Sequence, residues 1–246
     1  MDRMLYVAMT GAQQIMRATA ANNHNLANLN TTGFQADLSQ FRSMPVFGEG
    51  YPTRVYAMAE RSGVDFTPGP LQSTGRELDV AVQGEGWLAV QSPAGGEAYT
   101  RAGNLKITSN GILTTGAGHP VLGEGGIIAI PPAQKIEIGA DGTLSIRPLG
   151  QAANTLAVLD RIKLVNPPLD QLQKGEDGLI TMINGEKAPA DALVSLVSGK
   201  LESSNVSGVD ALVEMIALAR QYEMQTKMMK TAEDLDTASA QMLRMG

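Results

Sequence analysis

His24 and His119 are the only imidazoles in this 246-residue chain, and no cysteine is present, so the chemistry open to it is narrow. A disulfide framework, a thiolate nucleophile and a cysteine metal site are all excluded. His24 stands in an asparagine-rich helix end and His119 precedes Pro120 in a glycine-rich turn. Neither has a second ligand at helical spacing of the His-Glu-x-x-His kind, so both read as structural. The glycine pairs Gly84/Gly86, Gly116/Gly118 and Gly123/Gly125 lack the third glycine of a dinucleotide fingerprint, and no phosphate loop ending in Gly-Lys-Ser/Thr occurs. Asp141 and Asp177 sit in isolated Asp-Gly turns without the repeated acidic ligands of a calcium loop. Neither metal nor cofactor is expected. A catalytic role would fall to carboxylates such as Asp79 and Glu85, acting as acid and base on a cell-wall glycan. That reading leaves both ends of the chain idle, and a surface-adhesion module would leave them idle too.

Hydrophobic residues make up 43% of the chain and charged residues 18%, as in an ordinary folded soluble protein. The formal charge of -6 and pI near 5.0 argue against nucleic acid, which needs a concentrated basic surface. No segment approaches the ~20 apolar residues of a membrane span. The opening Met1-Asp2-Arg3-Met4-Leu5-Tyr6 leads into recurring polar residues, so no apolar stretch of a secretory signal is expected.

Helix breakers divide the chain. All 12 prolines lie between Pro45 and Pro189; before position 33 the one glycine is Gly11, and after Gly199 only Gly208 and Gly246 occur. Proline costs a helix interior ~3 kcal/mol and glycine ~1 kcal/mol relative to alanine, so the two ends are free to be helical and the middle is not. In the N-terminal segment Leu5, Met9, Ala12, Met16, Thr19, Asn23 and Leu26 alternate at spacings of four and three, the repeat of a coiled coil. The C-terminal segment places Val209, Leu212, Ile216 and Ala219 on one stripe, with Glu223 and Lys227 spaced as an i,i+4 ion pair and Ser207 as N-cap. Both stripes are thin, so the helices are expected to order by packing on each other and on further subunits. Ten of the 13 methionines fall in these ends, a residue suited to packing against varied neighbours.

Between the ends the hydrophobic period becomes two. Strands are expected over Leu78–Val82, Trp87–Val90, Leu105–Thr108, Ile127–Ile130, Lys135–Ile138 and Arg161–Val165. The turns Asn110-Gly111, Asp141-Gly142, Asp177-Gly178 and Asn184-Gly185 supply residues that tolerate positive φ. The fold class is therefore mainly β with α-helical termini, an antiparallel sandwich or barrel-like domain plus a helical pair. The expected organisation is an N-terminal helix over 1–33, an extended connector over 34–75, a β-domain over 76–204 and a C-terminal helix over 205–246. The connector holds six of the ten aromatics, Phe34, Phe41, Phe47, Tyr51, Tyr56 and Phe66.

Five asparagines stand among the nine positions 22–30, at Asn22, Asn23, Asn25, Asn28 and Asn30. Asparagine competes for backbone hydrogen bonds and is a poor helix-interior residue, so the cluster needs a reason. With Thr31-Thr32-Gly33-Phe34 after it, this stretch resembles the N-terminal signature of the flagellar rod and hook protein family. The run from Gly199 to Val206, with Met215-Ile216, Arg220, Tyr222-Glu223 and Lys227, resembles that family's C-terminal signature. Gly75 to Val90 and Tyr99-Thr100-Arg101-Ala102-Gly103 resemble its β-domain.

The length and opening residues are most similar to a proximal-rod member, with a distal-rod paralogue as the alternative. His24 departs from the smaller polar residue more usual there. The resemblance implies a non-catalytic subunit that is exported through the flagellar type III export apparatus without a cleaved signal. It would polymerise by its terminal helices with other axial proteins and copies of itself, lining the channel of a torque-bearing rod across the periplasm. The assembly interface it implies comprises Leu5, Met9, Met16, Asn22, Asn23, Asn25, Leu26 and Asn28, then Gly33 and Phe34. From the C-terminal block it adds Asn205, Val206, Met215, Ile216, Arg220, Tyr222, Glu223 and Lys227. Gly33 is expected in a left-handed conformation as the helix terminator.

Overall fold

The structure, a computed structural model, describes residues 3–45, 55–59, 63–148, 156–175 and 177–244. They form two compact units. One is made of the described residues of Met1–Asn28, Ala36–Asp65 and Val206–Gly246; the other comprises Leu29–Gln35 and Phe66–Asn205.

The second unit is built of antiparallel strands, as the period-two pattern requires. Its largest sheet has five strands in the order Leu164–Val165, Trp87–Gln91, Glu97–Thr100, Ile180–Met182 and Leu172–Lys174. A three-stranded sheet joins Ala133–Ile138, Thr143–Pro148 and Ala157–Arg161, and Val80–Gln83 pairs with Ser195–Ser198. Alternation along Trp87–Gln91 feeds two apolar clusters. Leu88 and Val90 pack with Val80, Val82 and Ile162, while Trp87 and Ala89 pack with Tyr99, Val165 and Ile180. Both faces of that strand are covered, so it reads as a nearly continuous apolar run.

The turn chemistry follows expectation: Gly111, Gly142, Gly178 and Gly185 have φ of 78°, 85°, 76° and 70°. Two strand expectations differ. Over Ile127–Ile130 the ladder covers only Gly126–Ile127, with Ala129 bridging Ile112. The run Arg161–Val165 divides between two sheets, because the Ile162 N–H donates to the Gly142 carbonyl and the Lys163 N–H to that of Leu122. A change of pairing partner leaves no mark on hydrophobic period.

The first unit contains the two long helices, α1 (Arg3–Ala27) and α2 (Gly208–Arg244). They run antiparallel: the Asn22 amide donates to the Ala211 carbonyl, and Gly11 lies against the Gln225 side chain. On α1 the residues of reduced exposure include Met4, Ala8, Gly11, Ile15, Ala18, Asn22 and Asn25; on α2 they include Ala211, Met215, Leu218, Gln225, Met229 and Ala232. Both series follow the heptad spacing of four and three. Each lies one residue before the stripe expected from sequence, although Ala12 of that stripe is buried too, and the helices close where Ile15 and Ala18 cluster with Leu218. The larger Leu5, Met9, Met16, Leu212 and Ile216 face outward and are exposed.

Helix α1 stops at Ala27, where the Asn28 side-chain amide and backbone N–H both donate to the His24 carbonyl. At the start of α2 the Ser207 carbonyl accepts the Ala211 N–H, and its hydroxyl accepts the Asp210 N–H at 3.4 Å. Within the stretch read as an extended connector, Phe41–Pro45 pairs with Val55–Ala59 and Asp37–Leu38 with Gly63–Val64. Phe47 and Tyr51 lie outside the described residues.

Candidate functional site

Two features stand out: the outer faces of the helices and a buried junction in the β unit. On the helices, Met9 and Met16 are each 53% exposed, and Val209, Leu212, Val213 and Ile216 form an exposed apolar row at helical spacing. That spacing, i, i+3, i+4 and i+7, places the four on one face. Contiguous exposed apolar rows of this kind are uncommon on monomeric soluble proteins. Every described residue after Ala232 is exposed, Leu235, Met242 and Leu243 among them.

The junction collects segments far apart in sequence. Arg101 and Glu202 are each 1% exposed, and the Arg101 Nε donates to Glu202 Oε2 at 2.8 Å. The guanidinium also donates to the carbonyls of Gly86 at 3.1 Å and Gly84 at 2.6 Å, and Glu202 Oε1 accepts the Gly69 N–H at 3.0 Å. A buried charge pair is tolerable when its remaining donors and acceptors are satisfied in this way. Gly33 docks on the same pair, its N–H donating to the Glu202 carbonyl at 2.8 Å. With φ at 66° it has the expected conformation. Its place is six positions beyond the end of α1, so its task is close approach and not helix termination: a Cβ there would lie 2.3 Å from the Arg101 carbonyl carbon. The Phe34 carbonyl accepts the Asn205 N–H at 3.2 Å, and Lys174 Nζ sits 4.0 Å above the Phe34 ring while donating to the Gln35 carbonyl at 2.7 Å.

The remaining sequence-derived residues divide between these places. Leu5, Ile216, Arg220, Tyr222, Glu223, Lys227 and Asn23 are exposed on the helices, whereas Leu26, Met215 and Val206 are half-buried. Glu223 and Lys227 form no ion pair among the described residues; both are solvated, and such a pair is worth only about 0.2–0.5 kcal/mol. Asn22 and Asn25 make bonds within the chain, with Asn22 donating to Ala211 and Asn25 pairing with the Asp37 backbone. Arg101, Glu202, Gly69 and Lys174 are not among the site residues to which the sequence points. The opposite charges of Arg101 and Glu202 are visible, but a separation of 101 positions gives no pairing signal.

The two carboxylates weighed for catalysis have different surroundings. Asp79 is buried, accepts from the Thr74 hydroxyl at 2.8 Å and pairs with Arg76 at 3.2 Å, while Glu85 is exposed in the turn before Trp87. His24 Nδ1 lies 2.6 Å from Asp37 Oδ2. A depression beside His119 is lined by Gln91, Ser92 and Gly118, with no second titratable side chain among its lining residues. Among the described residues no group of three or more His, Cys, Asp or Glu is placed to hold a metal ion, and no helix is long and apolar enough to cross a membrane.

Two family models match the chain. Residues 81–146 match the one described as the flagellar hook protein FlgE/F/G D1 domain, and residues 197–242 the flagellar basal body rod FlgEFG protein C-terminal region. The chain is 43% identical to the flagellar basal-body rod protein FlgF of Escherichia coli (strain K12), across the full length of both. It is 42% identical, again over both full lengths, to the protein of that name from Salmonella typhimurium (strain LT2). Identity to the rod protein FlgG of Bacillus subtilis (strain 168) is 31%, over 96% of this chain and 97% of the relative.

Proposed function

Because the chain belongs to the flagellar rod and hook protein family, we propose that it is a structural, non-catalytic subunit of the flagellar basal-body rod, of the proximal type. The observation that carries this reading is the division of labour on the helices. Ile15, Ala18 and Leu218 make the buried apolar cluster of α1 and α2, whereas the large apolar side chains Met9, Met16, Leu212 and Ile216 remain exposed outside it. Burying such a group contributes roughly 1.5–3 kcal/mol, stabilisation that Met9, Met16, Leu212 and Ile216 forgo within the chain. Left exposed in rows, they suit the terminal helices of neighbouring axial subunits and further copies of this chain. A heterologous contact between unlike faces extends without closing, as a rod requires.

In this reading the terminal helices line the export channel. Subunits reach the growing rod through the flagellar type III apparatus without a cleaved signal, and the assembled rod carries torque across the periplasm. The remaining interface residues assigned from sequence, Asn23, Arg220, Tyr222, Glu223 and Lys227, sit on exposed helix surface where a neighbour reaches them. The distal rod is the second reading, favoured by the similarity to the FlgG relative. The test is to replace Met9 and Ile216 with glutamate and to locate the tagged chain in purified basal bodies. Rods lacking the variant while the unmodified chain sits in their proximal segment support the proposal. An unmodified chain found outside the rod, or variant cells that swim normally, overturns it.

A further inference from the structure

The asparagine cluster invites the idea of a seam between subunits, yet Asn22 and Asn25 bond within the chain. Asn22 is 4% exposed and its Nδ2 donates to the Ala211 carbonyl at 2.7 Å. Asn25 Nδ2 donates to the Asp37 carbonyl at 2.8 Å, and Asn25 Oδ1 accepts the Asp37 N–H at 2.8 Å. A side-chain amide that both donates to and accepts from one backbone residue reproduces a rung of a β-ladder. His24, between them, places its ring nitrogen 2.6 Å from the Asp37 carboxylate. Asp37 opens the short strand that pairs with Gly63–Val64.

Asn22 and Asn25 occupy consecutive heptad positions at the end of the α1 seam. We infer that these two asparagines are positioning residues forming an intrachain clasp: Asn22 sets the register of α2 against α1, and Asn25 captures the returning chain at Asp37. The inference goes beyond the rod reading and does not depend on it. A buried asparagine at one seam position selects register at some cost in stability, because a slipped alignment leaves its amide unbonded in an apolar interface. Asparagine is suited to position 25 because its short amide has both the donor and the acceptor that a single backbone residue needs. Alanine would favour the helix but lose both bonds. The clasp thus explains why poor helix formers stand in the last turns of a 25-residue helix.

The absence of cysteine makes the test clean. In the dilute full-length chain, His24→Cys with Asp37→Cys is bridged by a short bis-maleimide, and in a separate protein Gly11→Cys with Gln225→Cys is bridged likewise. Intrachain products are expected from both pairs. Asn25→Ala should lower the first yield severalfold, with Asn25→Asp, which keeps an acceptor for the Asp37 N–H, falling between. Asn22→Leu should lower the second yield severalfold without lowering the melting temperature of the helical signal, a combination that simple loss of packing does not produce. Interchain ladders, or yields that ignore residues 22 and 25, overturn the clasp.

Discussion

The Arg101 guanidinium and the Glu202 carboxylate meet at 2.8 Å with 1% of either side chain exposed, and Gly33 lies against the backbone of the first while donating to the carbonyl of the second. Three blocks that carry the family resemblance thereby share one hydrogen-bonded junction. The turn carbonyls of Gly84 and Gly86 complete the arginine's set, which accounts for a fourth.

Arg101→Met should therefore destabilise the β unit by about 3–5 kcal/mol, since it strands a buried carboxylate. Adding Glu202→Leu should recover a large part of that loss. Urea unfolding of both proteins is the check, and a double variant as unstable as the single one would contradict the account.

Gly33→Val should be disruptive where most substitutions near a loop are mild. A β-branched residue in the left-handed region costs about 1–3 kcal/mol, and the added Cβ meets Arg101 backbone that cannot swing aside. Weakened protection of Phe34 and Asn205 in amide exchange, with cells that swarm poorly, is the expected result.

High pH should weaken the β unit through Tyr99. Burial, then the Ala188 N–H bond, then the charge and hydrogen bond of Glu97 act on this hydroxyl, and the net effect raises it from 10.0 to about 12. A raised folded value means that the folded chain holds the proton while the unfolded chain releases it. The stabilisation is complete below pH 10 and is lost as pH rises towards 12. Tyr99→Phe, which cannot ionise, should flatten that decline in a series of melting curves.

Limited proteolysis of the free chain should begin beyond Ala232, where every described residue of α2 is exposed. The remainder of α1 and α2 should follow, because among the described residues only Ile15, Ala18 and Leu218 make up the buried apolar cluster of the helices. A fragment holding Phe66–Asn205 should last longest. Cleavage first inside Val80–Gln91 would be inconsistent with this order.

Helices at both ends and strands between them were legible from where proline and glycine fall, because backbone constraints act locally. Positive φ at Gly111, Gly142, Gly178 and Gly185 was legible for the same reason. Heptad spacing in the terminal segments could be read as well, but its phase could not. The exposed row Leu5, Met9 and Met16 and the inward row Ala8, Gly11, Ile15 and Ala18 lie one residue apart in sequence. Only the packing of α2 on α1 decides which faces inward, as Ile15 and Ala18 cluster with Leu218. The partners of Asn25 and Arg101 also lay beyond reach: donors and acceptors are written in the residue types, whereas who bonds whom depends on chain paths that bring Asp37 back to α1 and Glu202 to Gly33. Local sequence thus determined the elements and their chemistry, and tertiary packing decided which faces were buried, because burial belongs to pairs of segments and not to either one.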